Sequence, residues 1–189
     1  MKLPATALLV ALVASPAIAS DYEPKLREYL EANVKAWMEN PTLIEAIRAQ
    51  NETSAEYSLS MIEELDQAWR AEIGSSTTPT ITPIMENAAS DILRDIVTAQ
   101  GGVVTEIFVM DQHGLNVAAS NVTSDYWQGD EAKFQKTYEM GVGAVHISEV
   151  EFDESSQSYQ AQLSVTLVDP GTQTALGAMT VGVNADALF

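Results

Sequence analysis

Cysteine is absent from this 189-residue chain. Its absence excludes disulfides, thiolate metal sites and a cysteine nucleophile together, so stability must come from packing. Basic residues are scarce, 9 Lys and Arg against 27 Asp and Glu, for a formal charge of −18. A surface this acidic repels phosphate backbones and anionic headgroups, which argues against nucleic acid as a partner. There are 2 histidines, and neither sits in a Gly-x-Ser-x-Gly or His-Glu-x-x-His pattern. The chain therefore reads as a non-enzyme, with no cofactor and no metal. Long apolar runs are missing too: residues 8–13 form the longest early one, well short of the roughly 20 needed to cross a bilayer.

What is present at the start is an address. Lys2, the short apolar run and the small-residue site Ala17-Ile18-Ala19 read as a signal peptide over residues 1–19. Cleavage near Ala19 is expected to release a soluble periplasmic protein with no later membrane insertion.

Two periods divide the remainder into a helical region, 20–100, and a sheet region, 101–189. Leu26, Tyr29, Leu30, Val34 and Trp37 recur at helical spacing over 22–38. Asn40-Pro41 ends that helix, because proline disfavours helical geometry in the residue before it. A second helix is expected over 42–73, with a stripe through Leu43, Ile47, Tyr57, Met61 and Leu65. The stripe is long for covering one small sheet, so part of it is expected to pair with a second copy as a homodimer. A third helix should start at Thr82-Pro83, a capping hydroxyl followed by proline, and end at Gly101-Gly102.

Beyond Gly102 the period becomes two. Strands are expected over 103–110, 115–120, 145–152, 159–168 and 176–184, with a short helix over 130–139 inserted after the second. The fold class is α+β: long N-terminal helices packed on a five-stranded antiparallel sheet, with the insertion on the opposite face.

Three stretches carry a resemblance: EIFVMDQHGLNVAAS, an apolar strand turning through Asp and Gly; SDYWQGDEAKF, an aromatic motif opening the short helix; and LGAMTVGVNADAL, the last strand. Together, over about residues 100–189, they resemble the PDC or Cache domains, extracytoplasmic PAS-like sensors. The resemblance implies a standalone periplasmic member with a PAS-like sheet. It also implies a small-molecule ligand (an organic acid, amino acid or amine) between sheet and helical excursion, and a membrane-bound histidine kinase or chemoreceptor as signalling partner. Where amino-acid-binding members commonly carry Arg two positions before the Trp, this chain has Asp125.

Five residues are the candidate ligand contacts. Tyr126 and Trp127 offer apolar area with a polar handle, as a pocket wall or as a lid anchoring the excursion. Lys133 and Lys136 are the only basic side chains after Arg94. Lys133 could hold a carboxylate as a point charge, or pair with Asp130 as Lys136 would with Glu139. Asp125 could receive an amine or cap a helical turn, and Asp130 reads as a cap. His146 either lines the pocket or is a satisfied strand residue. The acidic run Glu149, Glu151, Asp153 and Glu154 matches no calcium loop and reads as a solvated hairpin tip. The alternative function is a non-catalytic periplasmic interaction or scaffold protein that works through its N-terminal helices.

Overall fold

The computed structural model describes residues 22–153 and 158–188. The expected signal peptide, its cleavage site and Glu154 lie outside the described residues. Helix α1 (Tyr22–Tyr29) runs through a π turn (Leu30–Val34) into α2 (Lys35–Met38). Asn40 then caps α3 (Pro41–Ser54), its side-chain oxygen accepting the Thr42 N–H at 2.9 Å with Pro41 in the first turn.

The single helix expected over 42–73 is two helices. The chain leaves α3 after Ser54 and re-enters helix at α4 (Leu59–Glu72), where the Ser58 hydroxyl accepts the Met61 N–H. A serine hydroxyl favours that cap over a place inside the helix. The break also changes the buried face. Helix α3 buries Leu43, Ile44 and Ile47, whereas α4 buries Ile62 and Trp69 in a separate apolar cluster, buries Asp66 and Glu72 as well, and leaves Met61 exposed. The third helix is likewise divided, into α5 (Ile81–Met85) and α6 (Ala88–Ala99). Asn87, whose side chain accepts the Ser90 N–H at 2.8 Å, caps α6 better than Thr82-Pro83 could cap one long helix.

The strands are β1 (Val104–Met110), β2 (Asn116–Ala119), β3 (Val145–Ile147), β4 (Glu151–Asp153), β5 (Ser158–Val168) and β6 (Ala175–Asn184). They pair antiparallel in the order β2-β1-β6-β5-β3, with β4 on the same edge of β5 as β3. The expected strand over 145–152 is thus one edge strand in two pieces. Ile147 faces Leu163 and Glu151 faces Gln160, so four steps on the edge oppose three on β5. That one-residue bulge interrupts an otherwise open edge. Between β2 and β3 lies the excursion, with α7 (Ala132–Gln135) and a 3-10 turn (Tyr138–Met140) in place of one helix over 130–139.

The core lies on the helix side of the sheet. Ile107, Val109, Leu163, Val165, Met179 and Val181 point there and meet Leu26, Leu30, Leu43, Ile47 and Leu93. Each such side chain, fully buried, contributes about 1.5–3 kcal/mol.

Candidate functional site

Alternation along the same strands gives the opposite face a different composition. Pairing registers Phe108 with Ala119 and Thr180, Thr180 with Ser164, and Ser164 with His146. Directly paired residues share a face, so Ala119, Phe108, Thr180, Ser164 and His146 form one row across five strands. Thr166 and Ala178 pair in the adjacent row. Ser164 and Thr180 are fully buried and share a hydrogen bond of 3.0 Å. The Thr166 hydroxyl is buried with no hydrogen-bond partner among the described residues. Small polar side chains on an interior face keep a hydrogen-bonding capacity that Val or Leu would remove.

The excursion covers this row. Phe134 and Tyr138 stack with ring centres 5.1 Å apart, and Phe134 packs with Phe108, Met110, Ala119 and Ala178. Lys133 reaches inward, its ammonium 5.3 Å from the centre of the Phe108 ring, 3.1 Å from Gln128 Oε1 and 3.0 Å from Glu131. An ammonium on an aromatic face in a half-dry setting is a cation that an anion can still approach. The expected Lys133–Asp130 pair is replaced by Lys133–Glu131. Asp130 is exposed, and Glu131 occupies the N-cap position of α7 without a side-chain cap bond. Four residues are too few for α7 to supply both the cap and the pair envisaged for a helix beginning at 130.

His146, at the edge of the row, is held below its ordinary pKa by partial burial and by Lys136, which disfavours its cationic form. It is therefore neutral near pH 7 and able to donate or accept.

Asp125, Tyr126 and Trp127 stand apart from this row, in a clasp against α4. Asp66 Oδ1 accepts the backbone N–H groups of Tyr126 at 2.9 Å and Trp127 at 3.1 Å, while Arg70 bonds the other oxygen at 2.8 Å. The Tyr126 ring stacks on Trp69, 5.3 Å between centres, and the Trp69 indole donates to Thr123 O at 2.8 Å. The Trp127 indole donates to His113 O at 2.8 Å. Asp125 caps no helical turn: its carboxylate lies 3.8 Å from Arg70, and its carbonyl accepts from Asn116, Thr123 and Gln128. At the heart of the clasp two glycines meet. A Cβ on Gly114, whose φ is +83°, would lie 2.6 Å from Gly129 Cα, and one on Gly129 would run into the Trp127 indole.

Gln128 ties the two regions together. It is 2 % exposed, donates to Asp125 O at 3.0 Å and accepts from Lys133. Asp111 forms the other seam. Fully buried at the end of β1, it accepts from the Ser54 hydroxyl (2.7 Å), His113 N–H (2.8 Å) and Leu115 N–H (2.9 Å). Burial pushes its carboxyl up, against the pull of those three donors. His113, read from sequence as a turn residue, also bonds Ser54 O through Nε2 at 2.9 Å.

Of the five candidates, Lys133 and His146 border the polar face, while Asp125, Tyr126 and Trp127 form the clasp. Sequence reasoning missed Phe108, Thr180, Ser164 and Thr166 on the face and Asp66 and Trp69 in the clasp. The face had a signal. In LSVTLV and MTVGV small polar residues alternate with large apolar ones, which marks two buried faces of unlike chemistry. The clasp had none, since Asp66 and Tyr126 are 60 residues apart.

No protein-family model matches the chain, and no curated protein matches it. Among solved structures it is similar to the ligand-binding domain of the Campylobacter jejuni chemoreceptor Tlp3 in complex with 4-methylisoleucine. Identity there is 11%, the TM-score 0.42, and the match covers 81% of this chain and 64% of that one. It is also similar to the sensor domain of the V. cholerae histidine kinase DctB, at 11% identity and TM-score 0.39, over 90% of this chain and 57% of that one. A third likeness is to an extracellular ligand binding receptor from Desulfohalobium retbaense, at 15% identity and TM-score 0.41, over 78% of this chain and 25% of that one. The chain thus spans less than two thirds of the length of each.

Proposed function

We propose that the protein is a periplasmic sensor-type binding domain that takes a small organic anion, a carboxylic or amino acid, on the sheet face beneath α7. The row from Phe108 through Thr180 and Ser164 to His146, roofed by the Lys133 ammonium, carries this reading. Lys133 supplies the charge, exchanging Glu131 for the ligand carboxylate. Thr166, Ser164, Thr180 and neutral His146 supply donors and acceptors for its polar groups. The excursion must shift to admit the ligand, and its short, poorly capped α7 lowers the cost of that shift. The clasp at Asp66, Trp69 and Tyr126 would convey the shift to α4, and from there to a membrane-bound histidine kinase or chemoreceptor.

Isothermal titration of the purified protein at pH 7 with a panel of small carboxylates and amino acids tests the reading. Saturable binding of at least one member is expected, weakened about tenfold or more (~1.4 kcal/mol) in Lys133→Met. A panel without any binder, or a binder indifferent to Lys133→Met, would sink it. One observation favours the second reading, an interaction protein that includes a homodimer: Leu59, Met61 and Ile73 of α4 and its end are 57%, 45% and 49% exposed. Light scattering of wild type against Leu59→Ser/Met61→Ser decides it, with a monomer for both ruling out the dimer.

A further inference from the structure

Two cavities of about 580 and 300 Å³ by the first helical stretch share Lys35, Met38, Val142 and Val168 in their linings, and the smaller one also reaches Thr166. They form one trough between the end of the first helical stretch and the sheet edge at β3. Its apolar lining is Ile44 and Met38 on one side and Val145, Val165 and Val168 on the other, with Thr166 and Gln173 as the uncharged polar members. The combined size suits a small molecule.

Its backbone borders are unusual. Leu30 and Glu31, from the π turn, line one end, and π turns concentrate at functional positions. Gln173, a non-glycine residue at φ 59°, lines the other. Val142, 59% exposed, overhangs the opening between Gly141 and Gly143, both at positive φ.

The charges at the rim choose the occupant. Glu31 already holds Lys35 at 2.7 Å. Glu39 makes no ion pair among the described residues and lines the trough where the helix ends, the partially negative pole of its dipole. Among the described residues no cation other than Lys35 borders either cavity, and the chain as a whole carries −18. We infer that this trough is a second binding site, for a small organic cation with an aliphatic body. The chain of the ligand lies against Met38, Val142 and Val168, and its ammonium sits beside Glu39.

The probes are n-hexylammonium, n-hexanol and hexanoate, titrated into the full chain at pH 7 while the methyl resonances of Met38, Val142 and Val168 are followed by NMR. Saturable shifts are expected, with hexylammonium binding roughly threefold tighter than hexanol, the gain an exposed ion pair supplies, and hexanoate weakest. Val142→Lys, at an exposed position that the fold does not need, should weaken hexylammonium and spare hexanol. Glu39→Gln should bring the two together. Equal affinities, a preference for hexanoate, or shifts unaffected by both variants would overturn the inference. A dimer in solution that Val142→Lys dissociates would also overturn it, because the trough would then belong to a second copy. Lys133→Met should leave these titrations unchanged, so the trough stands or falls separately from the anion site beneath α7.

Discussion

The two faces of the sheet are made by the same strands and built to opposite rules. On the helix side, Leu163, Val165, Met179 and Val181 are at most 1% exposed and belong to one apolar cluster with side chains of the helices and sheet. On the excursion side, their sequence neighbours Ser164, Thr166, Ala178 and Thr180 are as deeply buried, yet small or polar, and the Thr166 hydroxyl has no partner among the described residues. Burial is the same and chemistry is not. Large apolar side chains bury more apolar area than small or polar ones, so the second face gives up packing energy and keeps hydrogen-bonding capacity. The covers differ in kind as well. The first is three turns or more of capped helix in α3 and α6, the second a four-residue helix and a 3-10 turn.

The largest expected effect tests that contrast directly. Leu163→Ala should lower the unfolding free energy by about 2–5 kcal/mol, the cost of a core cavity. Ser164→Ala, the next residue on the other face, should lower it by only about 1 kcal/mol, through the hydrogen bond to Thr180. Urea unfolding of both variants measures the difference. Equal losses would mean that the two faces do the same job.

The helix face was legible in the sequence because it obeys one period per element. Leu26, Leu30 and Val34 at helical spacing, and Val165, Leu167, Met179 and Val181 at strand spacing, identify both layers of the core without any long-range information. Element order and fold class follow from that. The breaks did not follow. Ser58 and Asn87 end what periodicity alone extends, because a capping side chain outcompetes a few tenths of a kcal/mol of helix propensity per residue. The clasp was hidden for another reason. Asp66 is one of 27 acidic residues, and only folding reveals that it binds two backbone N–H groups of the excursion. Trp127 stood out, but what it touches, His113 O and the Gly114–Gly129 contact, is a matter of tertiary approach.

Asp111 lies where the two faces join, bonded to Ser54 of α3 and close enough to the excursion that its charge, second to burial, raises the Tyr138 pKa. Asp111→Ala should cost about 1–3 kcal/mol by stranding the His113 and Leu115 donors. Asp111→Asn keeps their acceptor and can donate to the Ser54 hydroxyl, so it should restore most of that loss. The pH dependence sharpens the point. Because the folded-state pKa of Asp111 is raised, its burial penalises the fold above that pKa and the penalty fades as pH falls toward the ordinary carboxylate value. Any advantage of Asp111→Asn over wild type should therefore be greatest at neutral pH and shrink on acidification. Asp169 behaves oppositely. The Thr172 N–H above all, with the Gly171 N–H and Arg48, holds its carboxyl below the usual range, so its contribution is present at neutral pH and lost as pH falls through that lowered value. Urea midpoints of wild type and Asp111→Asn across pH 4–7, where the Asp169 contribution is constant and common to both, isolate the Asp111 trend, and a constant gap would remove Asp111 from the account.

The smallest expected effect discriminates best, because its sign differs between stability and function. Thr166→Val replaces a buried, unpartnered hydroxyl with a methyl of similar shape on the excursion face. If that face existed only for packing, the hydroxyl would be a defect without compensation, and removing it would be purely beneficial. The substitution should raise stability by about 1 kcal/mol, since the desolvated group loses nothing in the folded state. For a domain of this size that is roughly 2–4 °C in Tm. If the face holds a ligand, the same variant should bind the small anion identified by titration several-fold more weakly, having lost one of the groups that would meet it. Calorimetric melting and titration on one preparation give both numbers. A stabilised variant with unchanged affinity would make the polar face an accident of packing and collapse its difference from the helix side. A stabilised variant with weakened binding would make Thr166 a residue kept at a cost to the fold, as expected where function and packing compete for one position.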